Sequence, residues 1–363
     1  MQESGTRTST YAGPQAQSAG WRVETEQGAV EPRSLLAVAD EVDRRIRTGD
    51  LSSLQPIATG FEPLDRWIGG GLRPGELMLI GGVQAVGKTT FALQTARNVA
   101  LAGRATVLYV CFEHDEEFLL ARLIAQESID PAAERPIGLR VRDIQARIVE
   151  IRRQYAVGLR EILAADERGR RALAKIDAYG HRLFLLKASG YRATVSTLHR
   201  LVQQHRERSR DRLVLFVDYL QKIPVYPTPA DEAEKVTRVV EGLKELAVSQ
   251  GITVCAIVAA DKEGLKARRL HLHHLRGSSA LSYEADVALI LNEKYRIVAK
   301  VNIEYNLQKA QSYHNWVVCT VEKNRSGREQ LDMQFQQHFE YCAFNPNGAE
   351  IQETLIDDRV ITE

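Results

Sequence analysis

The stretch Gly82-Val-Gln-Ala-Val-Gly87-Lys88-Thr89 constrains this chain more than any other. It fits the pattern G-x-x-x-x-G-K-[ST], a phosphate-binding loop. The apolar run Leu77-Met-Leu-Ile80 precedes it, and a helix is predicted over Thr89 to Leu101. Strand, glycine turn and helix are the context such a loop requires. Its glycines let backbone N–H groups turn inward around phosphate oxygens, and the helix start adds partial positive charge. The candidate cradle is Gly82, Val83, Gln84, Ala85, Val86, Gly87, Lys88, Thr89 and Thr90. Lys88 is placed to reach the β- and γ-phosphates, and the Thr89 hydroxyl to ligate Mg²⁺.

Around this loop, apolar runs alternate with amphipathic stretches. Strands are predicted at Thr106–Phe112, Leu213–Val217, Ile252–Val258, Ala285–Leu291 and Trp316–Val321. A helix is predicted over Ala233–Ser249, stopped by Gly251. Near-continuous apolar strands in repeated βα units imply a mainly parallel sheet covered by helices. The stretch 126–180 reads as helical and Arg-rich, with Ile144, Ile148 and Ile151 as an inner stripe. Upstream, Leu35, Ala39, Val42 and Ile46 mark one face of a helix capped by Ser34 and followed by Gly49. Residues 1–32 hold too few large apolar side chains to offset chain entropy and are expected to stay disordered. A linker helix is assigned to 33–50, the main domain to 51–345 and a polar tail to 346–363.

Composition narrows the class. With 44% hydrophobic and 26% charged residues, the chain is neither wholly disordered nor collagen-like. A net charge of +1 excludes a polybasic coat protein, so nucleic-acid contact must come from a local patch. No apolar run reaches the length of a membrane span. The four cysteines (Cys111, Cys255, Cys319, Cys342) form no CxxC pair and read as free thiols, so a cytoplasmic location is expected.

Two carboxylates fall at strand ends. Asp218 ends the Leu213–Val217 run and suits a Mg²⁺ site. Glu113 closes the Thr106–Phe112 run, where a carboxylate can orient and deprotonate an attacking water. Asp115, Glu116 and Glu117 read as charges at a helix start. His271, His273 and His274 lack a cysteine or carboxylate at ligand spacing.

Several segments then line up in order. They are Thr59-Gly-Phe-Glu-Pro-Leu-Asp65, Gly69-Gly-Gly-Leu-Arg-Pro-Gly-Glu-Leu77, the Glu113 segment with Arg122, Val217-Asp-Tyr-Leu-Gln221, Leu275-Arg-Gly-Ser-Ser-Ala280, Glu284-Ala-Asp286 and Glu322-Lys-Asn-Arg-Ser-Gly327. The set resembles the C-terminal RecA-like ATPase domain of DnaB-type replicative DNA helicases. The resemblance implies an α/β RecA-like core that hydrolyses ATP with Mg²⁺. It implies a homo-oligomeric ring, usually of six subunits, with nucleotide between neighbours. Single-stranded DNA and a loading or other protein partner are the implied partners. Lys323 and Arg325 would then lie at the adjacent subunit's γ-phosphate, Arg325 as an arginine finger. Gln221 would sit beside the γ-phosphate or the central channel. Arg276, Gly277, Ser278 and Ser279 would grip DNA phosphates. The chain departs from the family pattern at Ala259-Ala-Asp-Lys262, where a polar sensor is replaced. An alternative follows from that departure: a nucleotide-switched ring scaffold, similar to the circadian-clock ATPases, that does not unwind DNA.

Overall fold

The computed structural model describes residues 23–25, 28–49, 51, 54–130, 133, 135–154, 157–189, 191–277, 279–298, 311–353 and 355. The chain divides into two compact units, Met1–Ser53 and Leu54–Glu363.

In the smaller unit, strands β1 (Val23–Thr25) and β2 (Gly28–Val30) pair antiparallel, with Val23 opposite Val30. This pairing departs from the disorder expected of 1–32; most of the remainder of that stretch lies outside the described residues. Helix α1 (Leu35–Arg47) follows. Ser34 Oγ accepts the Ala37 N–H at 3.1 Å, satisfying one of the helix's open donors. Arg44, Arg45 and Arg47 crowd the last turn, where the dipole favours cations. Leu35, Leu36, Val42 and Ile46 are exposed along this helix.

The larger unit opens with α2 (Leu64–Trp67), then β3 (Leu77–Gly82), α3 (Lys88–Leu101), β4 (Thr106–Cys111) and α4 (Glu116–Glu127). Helices α5 (Val141–Gln154), α6 (Leu159–Ala164) and α7 (Glu167–Tyr179) lead to β5 (Leu183–Lys187). There follow α8 (Val195–Arg208), β6 (Leu213–Asp218), α9 (Glu232–Gln250), β7 (Thr253–Ala259), α10 (Ala280–Glu284), β8 (Val287–Glu293) and α11 (Lys294–Ile297). Strands β9 (Trp316–Asn324), β10 (Leu331–His338), β11 (Ala343–Phe344) and β12 (Ala349–Glu350) close the chain.

Among the described residues, ten strands form one sheet in the order β11-β10-β9-β8-β3-β7-β6-β4-β5, with β12 against β10. The six from β8 to β5 are parallel. The strands β9 to β12 extend the sheet antiparallel. In the parallel strands, alternate side chains enter two cores. Met78, Ile80, Val214 and Phe216 pack on one face with Phe91, Ala96 and Val99 of α3. Leu77, Leu79, Leu213, Leu215 and Val217 pack on the other with α8 and α9. This two-sided burial is why these strands read as continuous apolar runs.

A smaller cluster joins α4 to α7 through Ile124, Ile144, Leu163 and Ala172. Ile144 is buried there, whereas Ile148 and Ile151 are half-buried, so the expected stripe is shallow. Residues 346–353 differ from the expected polar tail. The Glu62 N–H donates to Pro346 O, and β12 pairs with β10. Lys294, almost fully buried, holds Glu353 at 2.9 Å.

Phe61 is fully buried, stacks on Phe91 at 4.4 Å and meets Phe335 edge-on at 5.3 Å. It fastens the segment before β3 to the antiparallel extension. Phe61→Ala should lower the unfolding free energy by about 3–5 kcal/mol, read by denaturant titration. A loss under about 1 kcal/mol would show that this cluster does not join the two parts.

Candidate nucleotide and nucleic-acid site

The phosphate loop leaves the carboxyl end of β3 and enters α3. Ala85 and Gly87 hold positive φ of 65° and 101°, which turns the loop inward. A Cβ on Gly87 would lie 2.5 Å from Gln337 Nε2 and 2.9 Å from Phe344, so only glycine fits. Val86 is fully buried, so beyond its backbone it serves the core. Lys88 Nζ donates to the carbonyls of Gly82 at 2.8 Å and Val83 at 2.7 Å. Burial pushes the Lys88 ammonium down to about 8, with Asp218 and Glu113 opposing. A half-buried cation whose partners are mostly carbonyl oxygens is well placed to exchange them for phosphate.

Asp218, at the end of β6, is almost wholly buried. Its carboxylate accepts from the Tyr109 hydroxyl at 3.0 Å and from the Thr89 side chain. Burial outweighs these bonds and raises its pKa above the usual carboxylate value. The Thr89 hydroxyl and Asp218 carboxylate are hard oxygen donors within hydrogen-bond reach of each other, which suits Mg²⁺. The Phe112 N–H donates to Asp218 O at 2.7 Å, locking the ends of β4 and β6 side by side. That bond sets Glu113 on the same rim.

The cleft so formed has a volume of about 720 Å³. Gly82, Gln84, Ala85, Gly87, Lys88, Thr89, Thr90, Glu113 and Asp218 line it together, whereas Val83 and Val86 of the expected cradle do not. Arg122, Gln337, Phe339 and Cys342 line it too. Gln337 is buried and its Oε1 has no partner, while Phe339 is half-exposed. Asp115 caps α4 by accepting the Phe118 N–H, with Glu116 and Glu117 in the first turn.

Gln221, Lys323 and Arg325 lie elsewhere in the same chain. Gln221 does not line the cleft. It is buried, its Nε2 donates to Arg276 O at 2.8 Å, and its Oε1 accepts the Ala259 N–H at 3.3 Å. It thereby joins the end of β7 to the Arg276 loop. Lys323 and Arg325 are at the opposite edge of the sheet. Gly82 is in register with Leu291, Val287 with Asn324, and the Arg325 N–H bonds Asp286 O. The separation is a strand length, roughly 17 Å at about 3.3 Å per residue. There Arg325 donates to Tyr283 O at 2.6 Å and faces Asp286 at 3.4 Å, while Lys323 donates to Ser282 O.

In the 276–279 loop, Arg276 is half-exposed and pairs with Glu232 at 2.8 Å. Gly277 has φ +132°, and a Cβ there would strike Val236 at 2.6 Å. Ser279 accepts the Ser282 N–H through its carbonyl. Ser278 lies outside the described residues. His271, His273 and His274 pack ring on ring, and no cluster among the described residues has the makeup of a metal site. All four cysteines are free, and no described helix is long and apolar enough to cross a membrane.

A mainly parallel sheet with a phosphate loop at its carboxyl edge and an antiparallel extension defines a RecA-like P-loop ATPase domain. The chain belongs to the DnaB-like helicase C-terminal domain family, whose profile matches residues 56–344. It is 30% identical over 243 residues to the replicative DNA helicase DnaB of Treponema pallidum, covering 66% of this chain and 49% of that protein. It thus spans about half the length of that relative. A solved ATPase domain superposes with TM-score 0.67 at 20% identity, over 86% of this chain and 99% of that one. A DnaB-like replicative helicase studied with primase gives TM-score 0.64 at 20% identity, over 87% and 67%.

Lys88 also gives a pH signature. Its folded pKa of about 8 is below its unfolded value of 10.5, so the unfolded chain binds more protons between those limits. Nucleotide-free protein should therefore gain stability as pH rises from about 8 towards 10.5, relative to Lys88→Met. Denaturant midpoints across that window test this; parallel curves for the two proteins would show that Lys88 is not desolvated.

Proposed function

We propose that the chain is a ring-forming, ATP-driven motor acting on single-stranded DNA, which hydrolyses ATP at seams between subunits. The observation that carries this reading is the separation of the two halves of the chemistry. Lys88, Thr89, Asp218 and Glu113 share one cleft, while Arg325 and Lys323 sit a strand length away at the opposite edge. A second copy supplies the missing cations, six copies closing a ring.

In this reading Lys88 leaves the loop carbonyls for the β- and γ-phosphates. Thr89 and Asp218 would hold Mg²⁺, which would supply positive charge against the phosphate oxygens. Glu113 takes a proton from water as its oxygen attacks the γ-phosphorus. The bond to the bridging oxygen breaks, and ADP and phosphate leave. The partner copy's guanidinium matches the charge developing on the equatorial oxygens. Phe339 offers an exposed ring at the cleft for the base. The Arg276 loop contacts DNA phosphates without reading sequence, and Gln221 reports its position to the end of β7.

The scaffold alternative draws on Ala259 and Ala260, which line the cleft without a polar side chain. ATPase assays with and without an oligo-dT strand, alongside strand-displacement and sedimentation assays, separate the two. The motor reading predicts stimulated turnover, and Arg276→Ala should weaken oligo-dT binding and flatten its salt dependence by about one unit of slope. An ATP-stabilised ring that ignores oligo-dT and displaces no strand would favour the scaffold.

A further inference from the structure

The segment that leads into the Arg276 loop is strapped to β8, β9 and β10, and β9 carries Lys323 with Arg325 just past its end. Four consecutive residues make these bonds, three of them to β9. Arg269 donates to Asp332 at 2.6 Å and to Thr320 at 3.3 Å. Leu270 exchanges two hydrogen bonds with the Asn292 side chain, at 2.8 and 3.0 Å. His271 Nδ1 lies 2.6 Å from Glu322 Oε1, and the Leu272 N–H donates to Glu322 Oε2 at 2.8 Å. Since an ionised carboxylate only accepts, Nδ1 carries the proton. His271 and Glu322 are 5% and 8% exposed, so this pair is out of reach of bulk water.

Glu322 also holds a special place in its strand. The β8–β9 register pairs Ala288 with Lys323 and Leu289 with Val321. Glu322 is therefore the extra residue of a β-bulge, the device by which a strand re-aims a side chain. Burial acts to raise its pKa, but bonds from His271 and Leu272 prevail and hold the carboxylate below its usual range. Lys323 is the next residue along. On the other side, the turn Leu272–His274 runs directly into Leu275, which bridges to Ala260, and then Arg276.

We propose that Glu322 is a positioning residue that, through His271 and Leu272, makes the Arg276 loop and the Lys323–Arg325 strand end move together. DNA on the loop of one subunit then sets how that subunit presents its cations to its neighbour. By linkage, nucleotide at the seam alters DNA affinity in the same measure. The inference rests on the proposed function, since it needs both the loop and the strand end to have those roles.

The test uses the full chain, saturating ATP and an oligo-dT strand. Glu322→Met keeps side-chain length but removes both acceptor oxygens. It should lose most of the oligo-dT stimulation, while basal kcat and the KM for ATP stay within about twofold. His271→Leu should do the same. His271→Asn, whose amide donor can stand near the place of Nδ1, should restore most of the stimulation, and this histidine pair carries the test should Glu322→Met not fold. Full stimulation in Glu322→Met and His271→Leu would overturn the inference. So would basal and stimulated rates falling in equal proportion, the mark of a merely structural role. A wild-type chain that oligo-dT does not stimulate would instead overturn the proposed function beneath it.

Discussion

The direction of the strands governs everything else in this molecule. Six parallel strands bring their carboxyl ends to one edge, and the phosphate loop, Glu113 and Asp218 all issue from that edge. The antiparallel β9 runs the other way, so the residues at its end emerge at the far edge. No side chain bridges a strand length. Cations encoded at and just past the end of β9 therefore lie outside their own chain's cleft, and Asp286 with the Tyr283 carbonyl holds the guanidinium there.

Buried polar groups tie the elements at the two ends of this sheet together. Asp286 accepts from the Leu77 N–H and from Lys244, each at 2.7 Å, so the start of β3, the middle of α9 and the Arg325 position share one anchor. Gln221 ties β7 to the Arg276 loop, and Glu322 ties the approach of that loop to β9. Such groups are costly to bury unless satisfied. Most buried polar atoms near the two sites have partners, His271 Nε2 and Gln337 Oε1 being exceptions among the described residues.

Local signals were legible in the sequence. The phosphate loop, the carboxylates at strand ends and the Ser34 cap each depend on neighbouring residues, and the residues concerned lie where the pattern placed them. Two-sided burial announced the parallel strands. The helix end at Gly251 was equally plain, with φ 56° and its N–H returning to the last turn of α9. Long-range pairing was not legible. Gln337, Phe339 and Cys342 reach the cleft from far downstream of the loop, which no spacing rule connects; Phe344 and Gln94, 250 residues apart, bond in the same way. The bulge at Glu322 depends on β8 register, and the role of 346–353 depends on the Glu62 backbone and Lys294, so a polar composition misread it as tail. Gln221, which the resemblance sets beside the γ-phosphate or the central channel, does not line the cleft, and its amide bonds Arg276 O and the Ala259 N–H.

The central claim is a catalytic pocket divided between two copies, and subunit mixing tests it most directly. Lys88→Ala removes the cation of the cradle, and Arg325→Ala removes the guanidinium of the opposite edge. Each variant alone should have negligible ATPase, Arg325→Ala by a factor of about 10³–10⁵. Mixed and allowed to exchange subunits, they should regain activity, because some seams then pair an intact Lys88 with an intact Arg325. A mixture as silent as its components, or an Arg325→Ala protein with undiminished turnover, would contradict the account.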